Sequence, residues 1–313
     1  MNRGPLFQAR GWSLVELLVA MTLSLLVIAG VGQIYLAAKR SYDIQTNLAQ
    51  IQDVGRYVTD VLTQDIHMAG YWDLMNINDP LTVMPGHISL TITPDSCHPG
   101  NNNWGRMAKH GIFGLDNTDP AASIPAYDCI SSWERGDALV VRYADPVHIP
   151  PAGPYTATRW YIQTTPLSGS FTPGNPGSPG PGVAYANHAI VAHAYYVANP
   201  IATVCGNVPV FAREALASNG TPVKESLVNG VEHMQFQYGV DTDGDKNVNQ
   251  YLDATDVTDW KQVRAVRYWV LVRANCQEAG YSDNTTYQLG DITYTPMDHY
   301  RRALYSSTVT LKN

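Results

Sequence analysis

Residues 11–38 read GWSLVELLVAMTLSLLVIAGVGQIYLAA, an apolar segment whose entry carries one acidic residue, Glu16. From Leu17 to Ala38 the segment has no charged residue, and about 20 apolar residues are enough for one helix to cross a bilayer. No other stretch of the chain is as long and as apolar. The sequence therefore predicts a single membrane-spanning helix near the amino terminus.

The charges on either side of this segment predict its orientation. Arg3 and Arg10 are the only charges ahead of Glu16, and Lys39 and Arg40 follow the segment. A short positive head stays in the cytoplasm, whereas a long chain behind the helix is translocated. We therefore expect the bulk of the protein to lie outside the cytoplasm.

A secretory signal peptide is the alternative interpretation of the same segment. Its cleavage site would follow small residues at the end of the apolar run, and only Ala37 and Ala38 are placed for that. The run is longer than the apolar part of most signal peptides. Glu16 also argues for a function, because an ionisable group is costly inside a membrane segment.

The sequence GWSLVE at residues 11–16, followed by an apolar helix, resembles the class III signal of type IV pilins and pseudopilins. In that family a prepilin peptidase cuts after the glycine and methylates the new amino terminus. The resemblance implies that residues 1–11 are a prepilin leader, that cleavage falls between Gly11 and Trp12, and that Trp12 is N-methylated. Trp12 stands where the family usually has phenylalanine.

Glu16 would be the fifth residue of the processed chain. A lone carboxylate in hydrocarbon is either protonated or seeks a cation. The nearest cation would be the freed α-amine of a neighbouring subunit, so we expect Glu16 to set the subunit register during assembly. The alternative is that Glu16 snorkels to the lipid head groups.

The helix is expected to continue beyond the membrane, from about Trp12 to about Met68. Apolar residues follow at helical spacing on an otherwise polar segment, and Gly70 is a plausible stop; they are Ile44, Leu48, Ile51, Val58 and Leu62. Residues 12–38 would then be the transmembrane or filament-core helix. Residues 39–70 would be its amphipathic continuation, and residues 71–313 a β-rich extracytoplasmic domain.

The chain beyond residue 70 alternates short β-like runs with loops rich in Gly, Pro, Asn and Asp. We expect an α+β fold in which an antiparallel sheet packs on the second half of the long helix, as in pilin-like proteins. Irregular loops are expected at Pro94–Trp104 and Thr172–Gly182. The predicted strands are His87–Ile92, Ala138–Tyr143, Thr158–Gln163, Ala189–Val197, Val231–Val240, Val263–Arg273 and Ser307–Leu311.

The four cysteines lack the spacing of a zinc site, and in an oxidising compartment an even number favours disulfides. Four cysteines allow three pairings, of which we expect Cys97–Cys129 with Cys205–Cys276. The alternative is that one or more are free buried thiols.

An acidic run, DTDGDKNVN at residues 241–249, alternates side chains that carry oxygen ligands. Closely spaced carboxylates repel each other unless a hard cation joins them, and this alternation is how loops wrap Ca²⁺. The pattern is not an EF-hand, because Gly244 stands at position four and Leu252 at position twelve. The alternative is a solvated turn between two strands. The predicted structural Ca²⁺ ligands are Asp241, Asp243, Asp245, Asn247 and Asn249, with Asp253 or Asp256 as the last carboxylate.

Several stretches together are similar to PilW-type minor pilins. They are DIHMAGYW at 65–72, GVEHMQFQYGVDTDGD at 230–245, VRAVRYWVLVR at 263–273, the Tyr300-Arg301-Arg302 triplet and TVTLKN at 308–313. The resemblance implies a subunit of the type IV pilus tip or priming complex, which starts assembly and supports twitching motility, adhesion or DNA uptake.

The same resemblance implies the partners and the location. The partners would be other minor pilins, the major pilin, a tip adhesin, the prepilin peptidase and the inner-membrane assembly platform. The protein would be single-pass in the inner membrane with its domain in the periplasm, and at the pilus tip or base after assembly. A minor pseudopilin of a type II secretion system is one alternative, and a signal-anchored periplasmic binding protein or adhesin is another.

Composition and motifs argue against other classes. The net charge is −7 and no basic run occurs, which gives no support for direct nucleic-acid binding. The chain has no P-loop, no GxSxG, no HExxH and no dinucleotide-binding glycine pattern. We therefore expect a structural protein without catalytic activity.

Overall fold

The computed structural model describes residues 13–74, 111–117, 130, 132–166, 168–218 and 220–312. Four kinds of prediction lie outside these residues. They concern the processing site at Gly11 and Trp12, the strand His87–Ile92, the loop Pro94–Trp104 and the cysteines Cys97 and Cys129.

One long helix, α1, spans Leu14–Met68, a length of 55 residues. Ser13 precedes it, and its hydroxyl accepts the backbone N–H of Val15 at 3.3 Å. After the last turn, Gly70 adopts a φ of 76°, a left-handed conformation that glycine tolerates and that ends the helix. The predicted continuous helix and its stop at Gly70 are confirmed over the described residues.

The chain divides into two compact units, one as far as Leu48 and one from Ala49 onward. In the first unit, the helix exposes nearly all of its side chains. In the second, a stripe of buried residues runs along the helix, formed by Ile51, Val54, Val58, Leu62 and Ile66. The buried stripe thus begins later than the predicted one, since Leu48 is 42% exposed.

Thirteen strands follow in the described residues, and every paired strand runs antiparallel to its neighbour. In chain order they are β1 (Ile112–Leu115), β2 (Trp133–Ala144), β3 (Trp160–Thr164), β4 (Gly169–Pro173), β5 (Ala186–Thr203), β6 (Gly206–Leu216), β7 (Pro222–Asn229), β8 (Val231–Val240), β9 (Gln250–Leu252), β10 (Val263–Arg273), β11 (Tyr287–Leu289), β12 (Ile292–Tyr294) and β13 (Arg302–Thr310).

The strands form two main sheets and a hairpin. The large sheet has the order β1-β2-β5-β3-β4, with β6 beside β5 and β7 beside β6. The small sheet has the order β13-β10-β8-β9. Strands β11 and β12 form a separate hairpin, which we call the covering hairpin because Leu289 and Ile292 pack on Leu271 of the small sheet. The α+β class predicted from the sequence is confirmed.

Long strands with regular apolar patterns agree with the predictions, whereas β6 was not predicted. Strands β8 and β10 have the predicted bounds, and Phe236 of β8 lies opposite Tyr268 of β10. Strand β6 was missed because it contains Pro209, which cannot donate to a ladder. The structure accommodates Pro209 opposite a register shift between Ala198 and Ile201 of β5.

A single apolar core joins the helix to both main sheets. The stripe on α1 packs against Phe211 and Tyr195 of the large sheet and against Phe236 and Val270 of the small sheet. Each fully buried aliphatic or aromatic side chain contributes about 2 kcal/mol. The second half of α1 is therefore a core element of the domain.

Candidate functional site: the anchoring helix and the acidic turn

The first part of α1 presents a continuous apolar surface. Its large apolar side chains are 51% to 77% exposed. Among the described residues, α1 is the one helix long and apolar enough to cross a membrane. An exposed apolar surface of this extent marks a lipid or protein contact. The residues are Leu14, Val15, Leu17, Leu18, Val19, Met21, Leu23, Leu25, Leu26, Val27, Ile28, Val31, Ile34, Tyr35 and Leu36.

Glu16 closes a capping box at the start of this helix. Its Oε2 accepts the backbone N–H of Ser13 at 3.3 Å, while the Ser13 hydroxyl accepts the N–H of Val15. This reciprocal pair satisfies backbone donors that a helix start leaves free. Glu16 therefore has a role within its own chain, in addition to the assembly role predicted for it.

The other end of α1 is fastened to the large sheet through Asp65. Its Oδ2 accepts the hydroxyl of Tyr195 at 2.6 Å and lies 2.5 Å from Nδ1 of His193, and its Oδ1 accepts the hydroxyl of Tyr143 at 2.9 Å. Burial raises the pKa of Asp65, but these hydrogen bonds and the nearby His193 outweigh it and hold that pKa below its ordinary value. The carboxylate is therefore ionised at neutral pH.

One feature of the sequence indicates that Asp65 is buried. Asp65 lies seven residues after Val58 and three after Leu62, so it belongs to the apolar stripe of α1. A carboxylate on a core-facing stripe needs buried partners. Those partners come from β2 and β5, and nothing in the local sequence identifies them.

The carboxy-terminal strand also docks on the end of the helix. The Nδ1 atom of His67 lies 3.0 Å from the carbonyl oxygen of Thr310, and the backbone N–H of Lys312 donates to the carbonyl of His67 at 3.0 Å. The Lys312 ammonium lies 4.6 Å from the ring centre of Tyr71, within the range of a cation–π contact. The stretches 65–72 and 308–313, noted separately in the sequence, are thus in contact.

A buried arginine joins two further stretches of the sequence. The side chain of Arg302 is fully buried, and its guanidinium lies 2.5 Å from Glu232, 2.6 Å from Asp298 and 3.2 Å from Asp283. Burial raises the pKa of Asp298, but Arg302 outweighs burial and lowers it. Arg301 pairs instead with Glu278. The Glu232 of the GVE stretch and the Arg302 of the Tyr-Arg-Arg triplet therefore belong to one ion-pair network around a buried guanidinium.

The acidic run forms the turn between β8 and β9, which we call the acidic turn (residues 241–249). One carboxylate oxygen from each of Asp241, Asp243 and Asp245 lies within 4.8 Å of the others. Oxygens on one Ca²⁺ ion lie at most about 5 Å apart, because each is 2.3–2.6 Å from the metal. These three carboxylates therefore fit a hard divalent cation.

The other predicted ligands, Asn247, Asn249 and Asp253, make hydrogen bonds of their own. Asn249 braces the acidic turn, because its Nδ2 donates to Asp243 at 3.1 Å and its Oδ1 accepts the N–H of Thr242 at 2.7 Å. Asn247 donates through Nδ2 to Asp245 at 2.9 Å. Asp253 lies on the far side of β9 and accepts a hydrogen bond from Gln237 at 3.0 Å. Register places it about 10 Å along the hairpin from the acidic turn.

The protein itself already supplies charge compensation at Asp241. Its carboxylate accepts the backbone N–H groups of Gly244 at 2.7 Å and Lys246 at 3.0 Å, and Nε of Arg264 lies 3.3 Å away. Burial raises the pKa of Asp241, but these donors together lower it. Hydrogen bonds from Asn247 likewise lower the pKa of Asp245. Both groups are thus charged at neutral pH.

The predicted disulfide Cys205–Cys276 is formed, with Cα atoms 4.9 Å apart. Cys205 lies in the turn between β5 and β6, and Cys276 follows β10, so the bond links the large sheet to the small sheet. It closes a loop with a sequence separation of 71 residues, for which loop entropy predicts a stabilisation of about 4 kcal/mol.

A long apolar helix whose second half packs on antiparallel sheets is the arrangement that the sequence predicted for a pilin-like protein. Residues 194–313 match the family model described as "PilW: Type IV Pilus-assembly protein W". This part of the chain holds the disulfide, the acidic turn and the Arg302 network. The match confirms the resemblance to PilW-type proteins seen in the sequence, over 120 of the 313 residues.

The chain resembles a solved structure of a type IV-like pilin from Thermus thermophilus, with 11% sequence identity and a TM-score of 0.39, over 84% of this chain and 96% of that chain. No curated protein sequence matches the chain.

Proposed function

We propose that this protein is a minor pilin, a subunit of the complex at which assembly of the type IV pilus starts. One observation carries the proposal: a single chain combines an exposed apolar helix with a domain that matches a pilus-assembly family. The helix would lie in the inner membrane before assembly and in the filament core afterwards. The domain would lie in the periplasm and then at the pilus tip or base.

The exposed apolar side chains of α1 support its placement first in the membrane and then in the filament core. Burying one large apolar side chain contributes about 1.5–3 kcal/mol, and more than a dozen are exposed between Leu14 and Leu36. The segment is therefore stable only in lipid or among other apolar helices. Other minor pilins and the major pilin, which would carry similar helices, are the proposed partners, together with a tip adhesin and the assembly platform.

The proposed role is structural rather than catalytic. The buried polar residues described above hold elements together: Asp65 fastens α1 to β5, and Arg302 fastens β13 to β8. A subunit that anchors an assembly needs a helix fixed firmly to its domain. The Asp65 network and the docking of Lys312 on His67 supply that fixation.

Deletion of the gene, followed by complementation, tests the proposal. We expect loss of surface pili and of twitching motility, while protein secretion through a type II system remains normal. Lost secretion with normal piliation would instead identify a secretion pseudopilin. Normal piliation together with normal secretion would favour the remaining alternative, a signal-anchored periplasmic binding protein or adhesin.

Glu16 provides a sharper test of the assembly role. We expect Glu16→Gln to be processed by the prepilin peptidase but to enter the pilus poorly, because glutamine can still accept the Ser13 N–H but has no charge. Ser13→Ala is the matched control, since it removes half of the capping box and keeps the carboxylate. Equal incorporation of both variants and wild type would exclude a register role for the charge.

Processing itself is tested by the intact mass and amino-terminal sequence of the membrane-extracted protein. A start at methylated Trp12 is expected. A start at Met1, or after Ala38, would contradict the assignment of residues 1–11 as a prepilin leader and favour a signal-anchored protein.

A further inference from the structure

The hairpin formed by β5 and β6 extends beyond the apolar core of the domain. Ala198 of β5 and Val208 of β6 are fully buried. The residues between them, 199–207, are exposed, except for the half-buried Cys205. We call residues 199–207 the hairpin tip. The chain therefore leaves the core for nine residues and then returns to it.

The hairpin tip presents aliphatic side chains and carries no charged residue. Val204 is fully exposed, and Ile201 is 43% exposed. From residue 186 to residue 212 the sequence contains no Asp, Glu, Lys or Arg. Charged groups are costly to remove from water, whereas aliphatic side chains gain free energy when they leave it. The hairpin tip is therefore suited to contact with an apolar surface.

Covalent and hydrogen bonds hold the hairpin tip in one shape. The β5–β6 ladder continues to its end, where Thr203 lies opposite Gly206. The Thr203 hydroxyl donates to the carbonyl of Gly206 at 2.8 Å. Cys205 forms the disulfide with Cys276, which follows β10. A tip that is ordered in advance loses little conformational entropy when it binds.

The hairpin tip lies at the end of the domain where α1 enters. Asp65, near the end of α1, contacts His193 in the first half of β5. Gln50, at the start of the domain, lies beside Gly230, since a Cβ on Gly230 would be 3.6 Å from the Gln50 Nε2. The N–H of Gly230 in turn donates to the carbonyl of Pro209 in β6 at 2.8 Å. Strand β5 therefore runs antiparallel to the second half of α1, and the hairpin tip lies toward the entry of that helix.

The lengths involved allow the hairpin tip to reach lipid head groups. From Pro209 the hairpin continues by three residues to Gly206, which is about 10 Å. Residues 39–48 connect the charge-free apolar segment to the domain, and ten helical residues span about 15 Å. The head-group layer on each side of a bilayer is about 5–7 Å thick. These lengths permit a contact between the hairpin tip and the membrane.

A lipid surface fits the hairpin tip better than a protein partner does. A specific protein–protein interface buries about 1,200–2,000 Å² in total, and two aliphatic side chains supply a small fraction of that area. A chain that α1 already holds in a membrane needs no such area, because its second contact with the same membrane is intramolecular. The lipid surface is therefore the favoured partner.

We propose that the hairpin tip inserts Ile201 and Val204 into the head-group layer of the membrane that holds the first part of α1. This contact rests on the membrane location proposed above for α1, and it adds a second attachment of the domain to the same membrane. The contact would hold the domain in one orientation before assembly, and the subunit would release it on entering the filament.

Photo-crosslinking on the full-length chain, in lipid nanodiscs that each hold one copy, tests the contact. The crosslinking residue is introduced as Val204→p-benzoylphenylalanine, and Val223→p-benzoylphenylalanine is the matched control. Val223 is also an exposed valine, and it pairs with Ala215, about 30 Å along β6 from Gly206. We expect at least ten times more lipid adduct at position 204 than at position 223, as measured by mass spectrometry.

Equal yields of lipid adduct at positions 204 and 223, or none at position 204, would overturn the proposal. Leu25→p-benzoylphenylalanine reports on the anchor itself, because Leu25 is 66% exposed in the apolar part of α1. Lipid adducts at position 25 without adducts at position 204 would overturn the tip contact alone, whereas their absence at both positions would also contradict the membrane location of α1. In whole cells, adducts of position 204 with a protein in place of lipid would identify a subunit interface and likewise overturn the proposal.

Discussion

The ring of Tyr305 packs against Gly55, where a Cβ would come within 2.1 Å of a ring carbon. The Tyr305 hydroxyl donates to the carbonyl of Ile51 on the same face of α1 at 3.2 Å. The absence of a side chain at Gly55 therefore sets how closely β13 approaches the helix. Glycine has a low helix propensity, but at position 55 the packing of Tyr305 requires it.

Gly55→Ala is expected to destabilise the domain despite the better helix propensity of alanine. Overpacking of this kind costs about 1–3 kcal/mol, against a gain of about 1 kcal/mol from propensity. Gly30→Ala is the matched control, because nothing lies within 4 Å of a Cβ at that position. Thermal unfolding in detergent measures both, and a stabilised Gly55→Ala would contradict the packing account.

Removing the Asp65 carboxylate is expected to loosen the end of α1. Asp65→Ala leaves the hydroxyls of Tyr143 and Tyr195 and the ring of His193 unpaired, with a loss of about 3 kcal/mol in the free energy of unfolding. Asp60→Asn, exposed on the same helix, should change it by less than about 0.5 kcal/mol. Chemical denaturation at neutral pH compares them.

The pKa of Asp65 gives this loss a pH dependence. Because the folded-state pKa is lowered, the carboxylate stabilises the fold above its unfolded value near pH 4, and that contribution disappears as pH falls through the folded value. The difference between wild type and Asp65→Asn should therefore shrink in strong acid. A constant difference across this range would show that packing, not charge, is involved.

His233 is expected to make the domain less stable in mild acid. The side chain is fully buried beside Tyr294, and burial, helped by Arg135 and opposed by Glu232, lowers its pKa to about 4. The unfolded chain binds a proton near pH 6.5 and the folded chain does not, so stability falls between pH 6.5 and 4 by about 3 kcal/mol. His233→Gln should lack this part of the pH dependence, as measured by unfolding from pH 7 to 4.

The Arg302 network predicts different outcomes for neighbouring arginines. Arg302→Met leaves Glu232, Asp283 and Asp298 without their shared cation, and breaking a buried pair costs about 3–5 kcal/mol. Arg301→Met removes a partly exposed pair with Glu278 and should cost about 1 kcal/mol or less. Similar melting temperatures for the two variants would contradict the network.

Calcium binding at the acidic turn remains a prediction that calorimetry can test. We expect chelator-treated protein to bind Ca²⁺ there with measurable heat, and Asp243→Asn or Asp245→Asn to remove that heat. Asp60→Asn is the matched control, because it removes an exposed carboxylate on α1 and leaves the acidic turn intact. A titration without heat, or one whose heat is unaffected by Asp243→Asn, would show that the acidic turn does not bind Ca²⁺.

The sequence predicts strand bounds and loops well where they depend on interactions between neighbouring residues. The bounds of β8 and β10 follow from long runs rich in β-branched and aromatic residues, and the loop after β4 follows from its Gly and Pro content. Strand β6 was missed because its proline looks like a strand breaker until the register shift in β5 is known. The short strand β9 has too few residues to show any pattern.

The amino-acid sequence alone determines the long helix, the apolar surface of its first part and the position of Glu16, because helical periodicity and hydropathy are properties of neighbouring residues. The tertiary structure alone decides that Asp65 meets Tyr143, His193 and Tyr195, and that Glu232 meets Arg302. These contacts join residues separated by dozens to more than a hundred positions. Such pairs are fixed by strand order and register, which only the packed core selects.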